Sequence, residues 1–566
     1  MYVDRHDCLY LLVPVKNAPG LPLAAALVAA IACAAPPARA PVGAPLAAAE
    51  SLYADLRALR DRIDVSPVST LVQAHNVLRH DLSSRLRAID SASLGSEDAR
   101  ALGIMRRALE LDLDSLVPPL DSTTADRQPD CAYDAPGIAA GPKGLDSLRK
   151  RLYACYAWAQ SHVVVKDDTL DRLSILGGLG RIDDPVRRRR LFLALDPVWR
   201  SVNRGNEPGS PYRQLIAMEA RRKMSGESPA AAQAPLAGVL PDSLEGWLRK
   251  ILETWRKVSP DTLIEPWDWY YETAAASRKL SPRIPLGRML DVNLQVYRSL
   301  GADIRALGVH YDLEPREGKT PVAYCTFGRR PRFINGAWAP GEPWVFATYR
   351  AGGLDNLNEL LHETGHAVHI AAIHTRPAFA DWPDSDPFTE AVAEFVALDV
   401  YEPAWQQRWL GDSVPLAQGL RSRYGGIVLD VAWALFEVRM LRDPDADPNQ
   451  VWTALTRDYL RIRPHPELSW WAMRGQLVDA PDYMMNYAAG AILIADIRAR
   501  TQKVHRSFLN GDTSWYGWVG PRLYRFGLER PTRKVVETFL GRPASPAALL
   551  ADMGRMTPDR SRSTGR

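Results

Sequence analysis

Residues 358–370 read Asn358-Glu359-Leu360-Leu361-His362-Glu363-Thr364-Gly365-His366-Ala367-Val368-His369-Ile370. Leu357, Leu360, Leu361, Ala367 and Ile370 recur at helical spacing and predict one apolar side, with Asp355 as the expected helix cap. At about 100° per residue, positions four apart lie one turn apart on the same face. His362 and His366 can therefore both reach one zinc ion at ~2.0–2.1 Å. Glu363 falls beside them, off the metal, where its carboxylate can take a proton from water that the metal activates.

Zinc in a catalytic site uses three protein ligands and leaves one position open. A third histidine at the spacing H-x-x-G-x-x-H is absent, because position 369 is His and position 372 is Ala. Asp386, Glu390 and Glu394 are the acidic options downstream. Asp386-Pro387 reads as a cap and first helical residue. The helix expected over Pro387 to Tyr401 then carries Glu390 about one turn in and Glu394 one turn further on the same face. Glu390 is the expected third ligand, and Glu394 the carboxylate that orients a liganding histidine.

Around this motif the chain is an ordinary globular one of 566 residues, 46% hydrophobic and 24% charged. Its 70 basic and 66 acidic residues give a formal net charge of +4, too weak a field to point to nucleic acid. Five cysteines make no disulfide scaffold and no C-x-x-C pair. Cys131 and Cys155 could pair in an oxidising compartment, which the sequence alone does not establish.

Leu23 to Ala35 is an apolar, Ala-rich run after Lys16, short of the ~20 residues that span a bilayer and suited to a signal-peptide core. Ala38-Arg39-Ala40 is a cleavage signal. Ala30-Ile31-Ala32-Cys33 offers the alternative of a lipoprotein box with Cys33 lipidated. Both predict export, to the periplasm or outside the cell, with no membrane span and at most a tether.

From Ala47 to about Leu300 the apolar spacing is helical, as in Leu52, Leu56 and Leu59 or Leu145, Leu148 and Leu152. Asp184-Pro185 starts a helix, and Arg187 to Arg190 read as its solvated shoulder. Gly177, Gly178 and Gly180 read as a turn, since no strand precedes them and no G-K-[ST] follows. The Ala/Pro/Gly-rich stretch Ser225 to Pro241 is the best internal boundary. The first strands are expected between Val309 and Tyr349. This divides the chain into a leader (1–40), an N-terminal helical domain (41–235), a catalytic domain (236–556) and a polar tail (557–566). Asp443, Asp445 and Asp447 resemble a calcium loop, but Pro448 and Ala454 replace its Gly and Glu, so it reads as a turn.

Asp312-Leu313-Glu314-Pro315-Arg316-Glu317-Gly318-Lys319, followed by Ala323-Tyr324-Cys325, resembles the D-L-x-P-R-E-G-K segment of the thimet oligopeptidase family. His362 to His369 matches its H-E-x-G-H-x-x-H pattern, and Phe388-Thr389-Glu390 its third-ligand segment. Phe388 to Leu398 is also similar to the corresponding helix of angiotensin-converting-enzyme-like peptidyl dipeptidases. The matches cover about Val309 to Gly490.

The resemblance implies a mainly α, two-lobed zinc metallopeptidase with a deep central channel for oligopeptides. It implies a small edge sheet beside the motif helix, in which Trp344 to Tyr349 pairs with substrate backbone. Phe346, Ala347 and Tyr349 would then be substrate-binding. Tyr483-Met484-Met485-Asn486-Tyr487-Ala488-Ala489-Gly490 is similar to the family's Y-x-x-x-Y-x-x-G segment, so Tyr487 would donate to the oxyanion with Tyr483 nearby.

The family's histidine about ten residues before the second tyrosine is here Leu477, and the nearest upstream histidine is His465 in a Pro-flanked loop. Two further readings stand beside the oligopeptidase one. One is a dipeptidyl carboxypeptidase, with Arg474 and Tyr483 available for the substrate C-terminus. The other is a non-catalytic exported protein that binds zinc and peptide on the same scaffold.

Overall fold

The structure, a computed structural model, describes residues 44–62, 68–116, 128–141, 143–224, 241–316, 319, 322–334, 337–481, 483–505 and 511–557. The leader with Cys33, the boundary stretch 225–240, Glu317 and Gly318 of the family-like segment, and residues 558–566 lie outside the described residues. The chain is mainly α, with small sheets.

Helices α1 (Ala44–Arg60), α2 (Val68–Ala88) and α3 (Ser96–Glu110) pack as a unit around Leu46, Tyr53, Leu56, Leu82, Leu102 and Met105. Helix α4 (Gly144–Ser161) belongs to the much larger main core, which runs from Tyr133 to Met556. The disulfide Cys131–Cys155 ties the preceding segment to this helix. The expected unbroken helical run is interrupted by an antiparallel hairpin, β1 (Val163–Val165) and β2 (Asp168–Leu170). Three consecutive valines favour extended backbone, and Lys166 takes the turn's positive φ of 57°.

Helix α5 (Arg172–Leu179) follows, then α6 (Pro185–Leu193), where the Asp184 side chain accepts the Val186 N–H at 2.9 Å as the Asp-Pro pair predicts. Of Arg187 to Arg190 only Arg188 is buried, donating to Asp268 at 2.8 Å; the other three are exposed. Helices α7 (Pro241–Val258) and α8 (Leu286–Ser299) lead to the sheet region.

The principal sheet has the order β3 (His310–Asp312), β7 (Glu342–Phe346), β4 (Tyr324–Arg329), with β5 (Arg332–Ile334) and β6 (Ala337–Ala339) a separate hairpin. The expectation of an edge strand at Trp344 to Tyr349 fails. β7 is central, parallel to β3 on one side and antiparallel to β4 on the other. Beyond it, the Ala347 N–H donates to the Asp312 carbonyl at 3.0 Å and the Ala347 carbonyl accepts from Lys319 Nζ at 2.5 Å. Phe346 (2% exposed), Ala347 (0%) and Tyr349 (5%) are interior. Strand addition needs open N–H and C=O groups, so these three cannot be the substrate strand; β3 and β4 are the edges.

The family-like segment explains this arrangement. Asp312 receives a two-pronged contact from Arg316 (2.8 and 2.7 Å) and one from Lys319 (2.9 Å). These residues clamp a loop onto the end of β7.

Helix α9 (Leu354–Ala372) carries the motif and packs most extensively against α10 (Asp386–Ala397). α10 in turn packs on α13 (Met484–Val504), which also lies against α11 (Leu416–Arg442); α12 (Pro448–Leu455) follows α11 in sequence. Asp447 caps α12, accepting from the Asn449 and Gln450 N–H groups, so the acidic trio is a turn as expected.

Candidate metal centre

Helix α9 starts one residue before the expected cap. Gly353 holds the N-cap position, and Asp355 sits in the first turn, accepting from Ser277 Oγ at 2.7 Å. Leu357, Leu360, Leu361, Ala367 and Ile370 are all fully buried, as the apolar spacing predicts. The far side of α9 is pinned: Tyr297 Oη donates to the Leu361 carbonyl at 2.7 Å, and Tyr311 Oη and Thr364 Oγ1 stand 3.0 Å apart. Helix α10 is capped by Ser385, whose Oγ accepts the Phe388 N–H at 3.4 Å; the cap is Ser385 and not Asp386. Asp386 therefore has no cap role, and it stands apart from the histidines' carboxylate partners.

Gly365 sets how closely the two helices meet. A Cβ there would stand 2.4 Å from the Ala393 carbonyl oxygen and 2.9 Å from its Cα, backbone that cannot give way. The glycine inside His-Glu-Thr-Gly-His thus permits the crossing that carries Glu390 to the imidazoles.

His362 Nε2 lies 3.1 Å from His366 Nε2, and Glu390 Oε2 lies 3.3 Å from the first and 3.6 Å from the second. Four ligands on a tetrahedron at ~2.0–2.1 Å from zinc stand about 3.4 Å apart, so this triangle has zinc's dimensions. It is the group of metal-capable side chains found among the described residues. Glu363, 6% exposed, adjoins it without belonging to it.

On the outer side, His362 Nδ1 and Glu394 Oε1 are 3.0 Å apart, a contact that orients the ring and would leave Nε2 to a bound metal. Burial disfavours charge on His362, but hydrogen bonds to Glu390 and Glu394 outweigh it and hold the ring's pKa well up. Burial would raise Glu394 too, yet the contact with His362 brings it below the usual carboxylate range. Three carboxylates around two imidazoles make a pocket that attracts a cation, and the donor set of two nitrogens and one oxygen suits zinc.

His369 lies behind the motif among aromatic rings, 5.8 Å from Trp382, 6.2 Å from Phe388 and 5.1 Å from Tyr524. Tyr483 and Tyr487 meet edge to face at 5.7 Å at the start of α13. At the missing family position, Leu477 is core (1% exposed). The residue beside it does what sequence reasoning missed: Gln476 Nε2 donates to Tyr487 Oη at 3.0 Å. One position off the family register, a glutamine gave no motif to find. His465 is no substitute. It is clamped between Glu265 (2.8 Å) and Glu467 (2.7 Å) near the Trp267 ring.

No protein-family model and no curated protein matches the sequence. Solved structures do match in fold. An M32 carboxypeptidase from Deinococcus radiodurans R1 aligns with a TM-score of 0.54 at 13% identity, over 90% of this chain and 98% of that one. A structure of PZ peptidase A with an inhibitor aligns with a TM-score of 0.51 at 15% identity, over 90% and 96% of the two chains. At these identities the likeness establishes a shared helical fold over nearly the whole length. No described helix is long and apolar enough to cross a membrane.

Proposed function

We propose that the chain is a zinc metallopeptidase acting on oligopeptides, with His362, His366 and Glu390 holding one Zn2+. The observation that carries this reading is the 3.1–3.6 Å triangle of those three ligand atoms with Glu363 alongside it. A zinc ion so held supplies the Lewis acidity that lets water attack a carbonyl at neutral pH. Glu363 accepts the water's proton and passes it to the leaving amine. Tyr487 donates its hydroxyl proton to the developing oxyanion. Gln476 donates to the Tyr487 oxygen, which leaves the tyrosine's own proton directed elsewhere and steadies the ring. Tyr483 braces that ring from its edge. Since β7 is interior, the peptide is assigned instead to an edge of the sheet, β4 or β3.

The resemblance to thimet oligopeptidases and the fold shared with peptidases both support this reading. The dipeptidyl carboxypeptidase alternative stays open because Arg474 lies over the Tyr487 ring at 5.7 Å. We further propose export to an oxidising compartment, which the Cys131–Cys155 disulfide favours. The test is metal analysis with a quenched fluorescent oligopeptide. Wild-type protein should carry one zinc and lose cleavage to a chelator, and Glu390→Ala should lose the zinc. Zinc content unchanged in Glu390→Ala, or cleavage that survives metal removal, refutes the assignment.

A further inference from the structure

A cavity of about 180 Å³ is lined by Asp355 of the helix that carries the motif, and by Trp433 and Arg474. At one end it is lined by Asp355, two turns before His362 on α9 and so about 10 Å along that helix. At the other it reaches Arg474, whose guanidinium lies 5.7 Å from the Tyr487 ring. Between them the wall is largely apolar and includes Trp433.

The charged residues lining this space are Arg172, Arg474, Asp355 and Asp430. Arg474 is matched by buried Asp430, to which it donates directly. Asp355 accepts from Ser277 and faces Arg181 at 3.8 Å. Arg172, only 9% exposed, has no carboxylate partner among the described residues. Its Nε donates to Gln160 Oε1 at 3.2 Å and its guanidinium lies 5.9 Å from the Tyr156 ring. Its two terminal nitrogens have no hydrogen-bond partner among the described residues. A largely buried guanidinium with no anion beside it gains by meeting one. Its planar fork matches a carboxylate with two parallel N–H···O bonds.

We propose that this cavity is a carboxylate-binding subsite for the peptide, with Arg172 as its cation and the apolar wall receiving the adjoining side chain. The inference rests on the peptidase reading and deepens it by naming an anionic feature of the substrate. That carboxylate is either the peptide's free C-terminus or an acidic side chain.

The experiment compares matched quenched peptides: free acid against C-terminal amide, and internal Glu against Gln. In wild-type protein one pair should show roughly a tenfold preference in kcat/KM for the charged member, expressed in KM. The pair that shows it identifies the source of the carboxylate. Arg172→Gln should bring the ratio near one, and Arg172→Lys, which keeps charge without the fork, should hold an intermediate ratio even if the Gln variant folds poorly. No preference in either pair, or a ratio that survives in Arg172→Gln, overturns the proposal. Calorimetric binding of N-acetyl-leucine and N-acetyl-leucinamide separates the two readings. If nothing is cleaved but the acid binds better through Arg172, the peptidase reading falls and the subsite stands. Equal binding of the two together with no cleavage sinks both.

Discussion

Two buried clusters of charged side chains flank the second half of α9, and they are built on opposite rules. Just past the helix, Arg376 donates to Glu50 through Nε and Nη2, both at 2.8 Å, and to Asp98 at 2.8 Å. Glu50 also accepts the Ala378 N–H at 3.2 Å. Every contact there joins a donor to an acceptor, and the cluster fastens the α1–α3 unit to the main body. Arg57, Arg330, Asp61 and Asp381 extend the same seam. At His362, His366 and Glu390, three potential ligand atoms converge at 3.1–3.6 Å with no Lys or Arg of the described residues among them. A self-satisfied cluster is structural glue; a cluster of converging acceptors waits for something electron-poor.

The comparison can be broken in four ways. Glu363→Gln should keep the metal and lose about 10²–10⁴-fold in peptide cleavage, measured as kcat at saturating peptide. Full activity in that variant would sink the base assignment. Glu50→Ala removes the main partner of buried Arg376 and should cost about 3–5 kcal/mol in denaturant unfolding, while zinc per folded molecule stays at one. Loss of zinc in that variant would mean the two clusters are not independent. Glu394→Gln should weaken zinc affinity by about 10–100-fold, read by competition with a chromophoric chelator, because His362 loses the acceptor that orients it.

The smallest effect is a pH dependence. Burial opposes charge on His465, but Glu467 and Glu265 raise its pKa above the ordinary value. A raised folded-state pKa means its ion pairs add stability in full below the unfolded value near ~6.5, and that this is lost as pH rises through the folded value. Melting temperature should therefore fall above pH ~6.5 more steeply in the wild type than in His465→Gln. Identical slopes would remove the clamp's role.

The motif's geometry was legible because i to i+4 on a helix is local: His362, Glu363 and His366 need no knowledge of the rest of the chain. Glu390 was legible as far as a helix and its phase could take it, with Asp386 and Glu394 left as rivals. The strand at Trp344 to Phe346 was legible as a strand, but its place was not. Whether a strand is edge or centre depends on what pairs with it, and β3, far upstream in the chain, pairs His310 with Trp344. Asp355 lies two residues and Asp386 one residue past the true N-cap, since Gly353 holds the first position by its backbone and Ser385 the second by its hydroxyl.

What the sequence determined by itself is the chemistry available: two histidines on one helix face with a carboxylate beside them, in a mainly helical chain. Tertiary structure alone decided which acid lies beside the two imidazoles, that Gln476 and not a histidine contacts Tyr487, and that Arg172 has no carboxylate partner among the described residues. The reason is the same in each case. Periodicity reports what neighbours along one element share, whereas a site is made by distances between elements, and those are set by packing such as the glycine-permitted crossing of α9 and α10.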